Sequence, residues 1–340
     1  MILKNIFTIG CLLSAIMFAS CNNEQKQNET KTQDTTSVKT PAQLSELNTQ
    51  LLANPNSGTL LNKRANYYLN KNNFNEAMQD ITKAISIDSS QSDYFLTLSN
   101  VYFMTNQTGN SKSALEKSIK LDDKNVEAIL KLAELYLYVK KNDKSIDYIN
   151  MALKIDKYNA KAYFMKGMNF KEKHDTARAI SSMQTAVEQD QTYYNAYIQL
   201  GLLCAAQHNP LASQYYKNAI KINPKSTEAW YDLGKYEQDE GYWNKALEAY
   251  NELLKVDGRY KYAHYNMGVI YFMGLKKNEE AIGQFTEAIT IEPKYVEAYY
   301  ARGVVYKEMK NRKKAVEDFN ACMAITPEYE PAVVALREMK

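Results

Sequence analysis

The sequence has few of the residues that build metal sites and covalent cross-links. Its 340 residues include three His, which are His174, His208 and His264, and four Cys, and neither set is clustered. Zinc sites, iron–sulfur sites and disulfide frameworks all need several such residues at characteristic spacings. We therefore predict a chain that carries no metal and no cofactor.

The sequence also lacks an excess of charge of one sign. Lys and Arg number 42 and Asp and Glu number 39, which gives a formal net charge of +3. Nucleic-acid binding leaves a basic footprint on a sequence, so we predict no nucleic-acid partner. Hydrophobic residues make up 45% and charged residues 24% of the chain, and this balance excludes a wholly disordered protein.

Long apolar runs are equally scarce. The longest, residues 6–19, has 14 residues, whereas a membrane-spanning helix needs about 20. It matches the apolar part of a signal peptide and ends in two small residues followed by Cys21. This arrangement resembles a bacterial lipoprotein signal, which implies that residues 1–20 are removed and that Cys21 is lipidated. The alternative is an ordinary secretory signal with an incidental Cys.

Residues 21–40 are almost entirely polar, with Val38 as the lone aliphatic residue. Such a stretch cannot bury enough apolar surface to offset its ordering entropy, so we predict a disordered tether. With a lipid on Cys21, the tether would hold the rest of the chain at a membrane of the bacterial cell envelope. The resemblance implies the outer membrane, and the scarcity of acidic residues just after Cys21 favours its periplasmic face.

A repeat with a period of 34 residues fills most of the remaining chain. The eight units are residues 58–91, 92–125, 126–159, 160–193, 194–226, 227–260, 261–295 and 296–329. Position 8 of every unit is small and position 24 is large. Positions 4, 8 and 11 share one stripe of a helix, and positions 20, 24 and 27 share a stripe of a second helix. Each unit is therefore predicted to form two antiparallel helices that approach closely at their small residues.

Unit six shows most clearly which known repeat this is similar to. It carries Trp230, Leu233, Gly234, Ala246 and Tyr250. These residues match the signature of the tetratricopeptide repeat, in which W-x-x-L-G is followed by A-x-x-x-F. The resemblance covers all eight units and implies an all-α fold, an α-solenoid in which eight helical hairpins form a right-handed superhelix.

The two ends of the repeat region have helical patterns of their own. Residues 41–57 and 330–340 are predicted to form capping helices, because the open ends of a solenoid must be covered. Repeats and caps together use nearly all of the folded chain, so we predict that the protein is not an enzyme. Cys204 and Cys322 fall on positions that face the hairpin core, which predicts buried structural thiols.

One pair of residues leaves a catalytic hypothesis open. His264 occupies the Trp-like position 4 of unit seven, and Glu237 occupies position 11 of unit six. A Glu–His pair in one cleft could act as a general acid and base or as half of a metal site. The favoured alternative is that Tyr236 fills the core and that Glu237 turns outward.

The resemblance also implies where a ligand would bind. In this family the concave ligand face is built by positions 2, 5, 6, 9, 12 and 13 of the first helices, which we call the first-helix face. The candidate groove residues at these positions in units four to eight are Phe164, Met168, Ile198, Leu202, Tyr231, Lys235, Tyr262, Tyr265, Val269, Phe272, Tyr300 and Val304. An exposed apolar groove of this kind marks a protein partner. The alternative is that these residues serve packing between neighbouring helices.

Together these patterns predict a membrane-anchored scaffold or adaptor of the bacterial cell envelope that binds a protein or peptide, in envelope assembly or secretion. The alternative function is a glycan-capturing outer-membrane lipoprotein that stacks sugars on its aromatic residues. The sequence does not identify the partner.

Overall fold

The computed structural model describes residues 42–339. The predicted signal peptide, the predicted lipidation site Cys21 and the predicted tether lie outside the described residues. The chain divides into a short unit, residues 1–46, and a long unit, residues 47–340. The long unit contains all eight sequence repeats.

Within residues 42–339 the chain forms eighteen α-helices, one π-helical turn and no strand, which confirms the all-α prediction. The helix before the repeats is α1, Ala42–Ala53. The first helices of the repeats are α2 Gly58–Asn70, α4 Ser92–Met104, α6 Val126–Tyr138, α8 Ala160–Glu172, α10 Tyr194–Ala205, α12 Thr227–Asp239, α14 Lys261–Val269 and α16 Val296–Glu308. The second helices are α3 Phe74–Ile87, α5 Thr108–Leu121, α7 Asn142–Ile155, α9 Thr176–Gln189, α11 Leu211–Ile222, α13 Trp243–Val256, α15 Asn278–Ile291 and α17 Arg312–Ile325. The last helix is α18, Glu330–Glu338.

The eight hairpins stack in sequence order. Each first helix begins at the first residue of its repeat and packs most extensively on the second helix of the same repeat. Each second helix then packs on the first helix of the next repeat. This nearest-neighbour packing is that of an α-solenoid.

The turn inside each hairpin depends on one residue in the left-handed region. These residues are Asn72, Asn106, Lys140, His174, His208, Gly241, Lys276 and Lys310, with φ between 52° and 78°. All but one carry a Cβ, although glycine adopts this conformation at the lowest steric cost. His174 and His208 are exposed in these turns.

The turn between repeats is closed by an acidic side chain after the second helix. Asp88, Asp122, Asp156, Asp190 and Asp257 each accept a hydrogen bond from the backbone N–H two residues later, at 2.8–3.2 Å. This local bond is an Asx turn, which mimics a backbone turn. The recurrent Asp therefore fixes the path of the chain from one hairpin to the next.

The hairpin core is built from size-matched pairs at positions 8 and 24. In units four to eight a glycine faces a large side chain. The pairs are Gly167 with Met183, Gly201 with Tyr216, Gly234 with Tyr250, Gly268 with Phe285 and Gly303 with Phe319. In units one to three an Ala or Ser at position 8 is accompanied by Ile or Leu at position 24. A second small position escaped the sequence analysis: the alanine at position 3 is fully buried in units three to eight.

The helices at the two ends take the places of missing repeat helices. Arg302 of α16 donates to Asp318 of α17 and to Thr286 of the preceding second helix. Arg64 of α2 makes the same set of bonds, with Asp80 of α3 and with Asn48 of α1. Helix α1 therefore occupies the position of a preceding second helix. At the other end, Ala332 and Ala335 of α18 pack against Phe319, as the first helix of a further repeat would.

Unit seven contains one residue more than the period. Helix α14 continues into the π-helical turn Ile270–Gly274, whose wider winding absorbs the extra residue. Gly274 lies against the Trp243 side chain, where an added Cβ would come within 2.8 Å of the indole Cδ2. The insertion thus stays inside the helix.

Candidate functional site

The first-helix face of units four to eight divides into buried and accessible positions. Of the predicted groove residues, Phe164, Met168 and Ile198 are buried and fill the core, so they offer little side-chain surface to a ligand. Leu202 and Tyr262 are exposed, at 38% and 45% of their surface. The half-buried residues are Tyr231, Lys235, Tyr265, Val269, Phe272, Tyr300 and Val304. The nine accessible residues belong to units five to eight, and their role in binding stays a prediction.

Five tyrosines of units six and seven form a continuous row of ring contacts, which we call the tyrosine ladder. Its members are Tyr231, Tyr260, Tyr262, Tyr265 and Tyr295. Successive ring centroids are separated by 5.6 Å, 5.9 Å, 6.0 Å and 5.3 Å in the order Tyr231, Tyr260, Tyr262, Tyr295, Tyr265. These are the tilted and edge-to-face separations that aromatic pairs favour. The ladder is therefore a preformed aromatic surface across two repeats.

The ladder includes residues that the sequence analysis missed. Position 5 of a first helix pairs with the last residue of the same unit in four repeats. The pairs are Phe164 with Tyr193, Tyr231 with Tyr260, Tyr265 with Tyr295 and Tyr300 with Tyr329, at 5.1–5.9 Å. The tetratricopeptide signature does not include the last position. A comparison of that position across units would have shown its tyrosines.

These last-position tyrosines stand where a helix cap is expected. Ser57, Asn125, Asn159 and Ser226 occupy the same slot and accept a hydrogen bond from a backbone N–H of the following helix. Tyr193, Tyr260, Tyr295 and Tyr329 make no such side-chain bond. A lost cap reduces stability by roughly 1 kcal/mol. At these four helix N-termini, an aromatic contact therefore takes the place of an N-cap hydrogen bond.

Three ladder hydroxyls, those of Tyr260, Tyr265 and Tyr295, are neutral at physiological pH. Burial, together with the neighbouring Tyr231 and Asp232, raises the pKa of Tyr260 to about 12. Burial likewise raises the pKa of Tyr265 and Tyr295 well above the ordinary value, with Glu297 contributing to both. A neutral phenol donates and accepts hydrogen bonds while its ring offers apolar contact.

Asp232 lies at position 6 of the first helix of unit six, next to the ladder. Burial, and then the charge of Glu228, raises the pKa of Asp232 to about 7. Its charge in turn contributes to the raised pKa values of Tyr194 and Tyr260. No residue among 42–339 forms an ion pair or hydrogen bond with its carboxylate. Lys235, one turn further along, pairs with Asp239 instead.

The structure does not bring Glu237 and His264 together. The Glu237 side chain is only 2% exposed, so the expectation that it turns outward is wrong. It is held inside because its Oε1 accepts a hydrogen bond of 2.7 Å from the Ser213 hydroxyl of the preceding repeat. His264 Nδ1 instead lies 2.9 Å from Oε1 of Gln284, in its own hairpin. The two residues therefore do not form an acid–base pair.

The two described thiols lie in the core. Cys204 and Cys322 are 1% and 0% exposed, as their repeat positions predict. Burial raises the pKa of Cys204, and burial with the nearby Asp318 raises the pKa of Cys322 to about 12. Both remain protonated at physiological pH and are therefore poor nucleophiles.

Neither a metal-binding cluster nor a membrane-spanning helix is found within residues 42–339. Among them, no three His, Cys, Asp or Glu side chains come together in a way that could hold a metal ion. In the same range, every helix is too short or too polar to cross a bilayer.

A stack of helical hairpins of this length, with small residues at the helix crossings, defines the class of α-solenoid repeat proteins. Comparison of the sequence with protein families identifies the repeat. The tetratricopeptide repeat family matches residues 59–91, 160–193 and 296–329, and a second TPR repeat description matches residues 275–310. The chain therefore contains tetratricopeptide repeats, a repeat that serves as a scaffold for protein–protein interaction.

A solved structure supports the fold. The C-terminal part of a TPR repeat-containing protein from Cytophaga hutchinsonii superimposes with a TM-score of 0.62, at 18% identity, over 71% of this chain and 99% of that one.

Two curated relatives are similar in sequence. The probable UDP-N-acetylglucosamine–peptide N-acetylglucosaminyltransferase SPINDLY of Hordeum vulgare is 27% identical over 146 residues, which are 41% of this chain and 16% of that protein. The DnaJ homolog subfamily C member 7 homolog of Dictyostelium discoideum is 25% identical over 166 residues, 44% of this chain and 31% of that protein. The chain thus spans less than a third of the length of either relative.

Proposed function

We propose that this protein is a lipid-anchored, non-catalytic scaffold of the bacterial cell envelope that holds a protein or peptide partner on the first-helix face of units five to eight. The repeats supply the scaffold, and the sequence around Cys21 supplies the proposed anchor. On this proposal the tether of residues 21–40 gives the solenoid reach from the membrane, and envelope assembly or secretion is the process it serves.

The tyrosine ladder is the observation that carries the binding part of the proposal. Tyrosine is enriched at the energetic centres of protein interfaces because it combines a large apolar ring with a polar end. Tyr262, at the middle of the ladder, is 45% exposed. The ladder is held by contacts within the chain, so a partner would meet a surface that needs little reordering on binding.

Site-specific photo-crosslinking in intact cells tests the groove. A photoreactive phenylalanine analogue replaces Tyr262 in one variant and Tyr242 in a control. Both residues are exposed, at 45% and 52%, but Tyr242 lies in the hairpin turn before α13 rather than on the first-helix face. We expect a discrete crosslinked protein from position 262 and none from position 242.

A triple variant gives the second arm of the same experiment. Tyr231→Ala, Tyr265→Ala and Phe272→Ala together remove three accessible groove residues. Crosslinking from position 262 should fall while the circular dichroism spectrum stays helical. Equal crosslinking by the triple variant, or from position 242, contradicts the groove assignment.

The anchor has an independent test. A clickable fatty acid supplied to growing cells should label the full chain, and Cys21→Ala should abolish the label. Cys204→Ala is the matched control, because Cys204 is a buried core thiol, and it should leave the label intact. Label that persists in the Cys21 variant would show that this residue does not carry the lipid.

A further inference from the structure

The hairpin turn of unit eight concentrates positive charge, and we call residues 307–314 the basic turn. This stretch contains one acid, Glu308, and five cations, which are Lys307, Lys310, Arg312, Lys313 and Lys314. The corresponding positions 12–19 of the other seven repeats contain at most three cations each. The chain as a whole is nearly neutral, with a formal net charge of +3. The basic turn is therefore a local feature of one repeat.

The turn follows a fixed path and directs its side chains outward. Every residue from 308 to 314 is exposed, and Lys310 adopts the left-handed conformation, with φ of 59°. The backbone N–H of Lys310 donates to the Lys307 carbonyl at 3.0 Å, and that of Asn311 donates to the Tyr306 carbonyl at 2.8 Å. Because these bonds close the turn, its cations project from a defined tip of the hairpin.

Two of the five cations are engaged inside the chain. Lys307 pairs with Glu338 of α18 at 2.7 Å. The Lys314 ammonium nitrogen lies 5.2 Å from the centroid of the Tyr306 ring, within the range of cation–π attraction. The other three form no ion pair and no side-chain hydrogen bond within residues 42–339, and these are Lys310, Arg312 and Lys313. They are available to an external anion.

The cations stand at an unfavourable place in α17. Arg312, Lys313 and Lys314 form the first turn of this helix, which contains no acidic residue. The positive end of the helix dipole lies there, so cations are disfavoured and anions are favoured. In α15, the second helix of the preceding repeat, Glu279 and Glu280 occupy the first turn instead. The basic turn thus reduces helix stability, and an anion bound to it would offset that loss.

The basic turn also exposes an apolar side chain. Met309 is 38% exposed and lies between Glu308 and Lys310. Cations beside an exposed apolar residue suit the surface of a membrane, where the cations approach lipid phosphates and the apolar group enters the interface. Residues 309–314 lie beyond position 13, the last position of the first-helix face, so this surface is separate from the candidate groove.

We propose that the basic turn is a second membrane contact, at which Lys310, Arg312 and Lys313 bind the phosphates of anionic lipid headgroups. The inference rests on the proposed function in one respect, since the lipid on Cys21 keeps the turn within reach of a bilayer. A covalent lipid and a basic patch reinforce each other at an anionic membrane. A contact at one hairpin tip also restricts the directions in which the first-helix face points, which a flexible tether alone does not.

A fluorescent side chain in the full chain tests the contact. Dansylalanine, whose emission moves to shorter wavelength when it leaves water, replaces Met309, and the chain is reconstituted from detergent into vesicles. We expect the shift with vesicles of phosphatidylcholine and phosphatidylglycerol in equal parts, and none with phosphatidylcholine alone. Dansylalanine at Met104 is the matched control, because Met104 is 51% exposed at the same end of its hairpin while residues 103–110 contain no charged residue. It should shift with neither vesicle.

Charge removal gives the second arm of the experiment. Lys310→Gln, Arg312→Gln and Lys313→Gln together should abolish the shift at position 309 and slightly raise the unfolding temperature, because they remove repelled cations from the start of α17. Salt at about 1 M, where the Debye length is about 3 Å, should abolish the shift without any substitution. A shift that survives either treatment, or that is equal on the two kinds of vesicle, overturns the proposal.

The outcomes separate this inference from the proposed function. The fatty-acid label reports on Cys21 and crosslinking from position 262 reports on the groove, whereas the dye at position 309 reports on the basic turn. A normal label without a shift on anionic vesicles overturns the second membrane contact and leaves the anchor supported. A lost label with a retained shift overturns the anchor and supports the contact. If polyglutamate shifts the dye and anionic vesicles do not, the turn binds an acidic protein segment, which also overturns the proposal.

Discussion

Gly303 of α16 lies directly against the ring of Phe319 in α17: a Cβ added to the glycine would come within 2.7 Å of Cε1 and 3.0 Å of Cδ1. Phe319 is fully buried, so its ring cannot move aside into solvent. Units four to eight all place glycine at position 8 and a large side chain at position 24. The two helices can therefore approach closely with a large ring between them only because the residue that faces the ring has no side chain.

The first prediction concerns this pair. Gly303→Ala should lower the free energy of unfolding by about 2 kcal/mol, because an added methyl group overpacks a filled core. The double variant Gly303→Ala with Phe319→Leu has a small residue facing a medium-sized aliphatic one, much as units two and three do. Its loss of unfolding free energy should be smaller than the sum of the losses caused by the two single changes. Urea unfolding followed by circular dichroism measures each value.

Gly283 supplies the control for that experiment. It lies in the middle of α15, and an added Cβ there would meet nothing within 4 Å. Gly283→Ala should raise stability by roughly 0.5–1 kcal/mol through helix propensity alone. Equal effects of the alanine at positions 283 and 303 would show that the ring contact does not limit position 303.

The second prediction concerns the left-handed turn residues. Lys310 has φ of 59° and Gly241 has φ of 78° at equivalent positions. A side chain with a Cβ is strained there, so Lys310→Gly should stabilise the chain by roughly 0.5–1 kcal/mol despite the greater freedom of glycine in the unfolded state. Gly241→Ala should destabilise it by a comparable amount. Melting temperatures that move in the opposite directions would contradict the role of this turn.

Much of this fold was accessible from the sequence because small residues at helix crossings recur with a fixed period. Positions 8 and 24 showed both the hairpin and its tight packing. The buried alanine at position 3 was missed because alanine is equally common on exposed helix surfaces. Last-position tyrosines such as Tyr260 were missed because they lie outside both helical stripes and in a slot where a capping residue is expected.

The accessible residues of the candidate groove could not be predicted from helical spacing alone. Phe164 and Leu202 both satisfy the family's ligand-face spacing, yet one is buried and the other exposed. Helical spacing gives the direction of a side chain but not how closely the next repeat covers it. Likewise, the burial of Glu237 depends on a hydroxyl from another repeat, Ser213, and no pattern within one unit contains that contact.

The third prediction is a pH dependence of stability caused by Asp232. Its pKa is raised to about 7 in the folded chain by burial and Glu228, against an unfolded value of about 3.9. The folded state therefore binds the proton more tightly, so this contribution to stability is fully present below about pH 4 and is lost as the pH rises through 7. The charge of Asp232 acts together with that of Glu228 and with four phenols that stay neutral in this pH range, which are Tyr194, Tyr216, Tyr250 and Tyr260.

Asp232→Asn removes that titration. At pH 8 the variant should exceed wild type in unfolding free energy by up to about 4 kcal/mol, and at pH 4 the two should be alike. Asp239→Asn, which loses an exposed ion pair with Lys235, should show no such gain. A stability difference between Asp232→Asn and wild type that is constant from pH 4 to pH 8 would mean that the carboxylate is not destabilised by burial.

The last prediction concerns the link between units seven and eight. Arg302 holds Asp318 by two bonds, from Nε to Oδ2 at 2.9 Å and from Nη2 to Oδ1 at 2.8 Å, and donates to the Thr286 hydroxyl at 2.9 Å. Asp318 is 4% exposed. Arg302→Ala should cost about 3 kcal/mol, chiefly because it strands a buried carboxylate. Arg302→Lys should recover only part of this, since an ammonium cannot reproduce the two-point geometry. The double variant Arg302→Leu with Asp318→Asn should be more stable than Arg302→Ala, because it buries no unpaired charge. Urea unfolding of the three variants measures these differences. If the double variant is no more stable than Arg302→Ala, the lost guanidinium contacts, and not the unpaired carboxylate, cause the loss of stability.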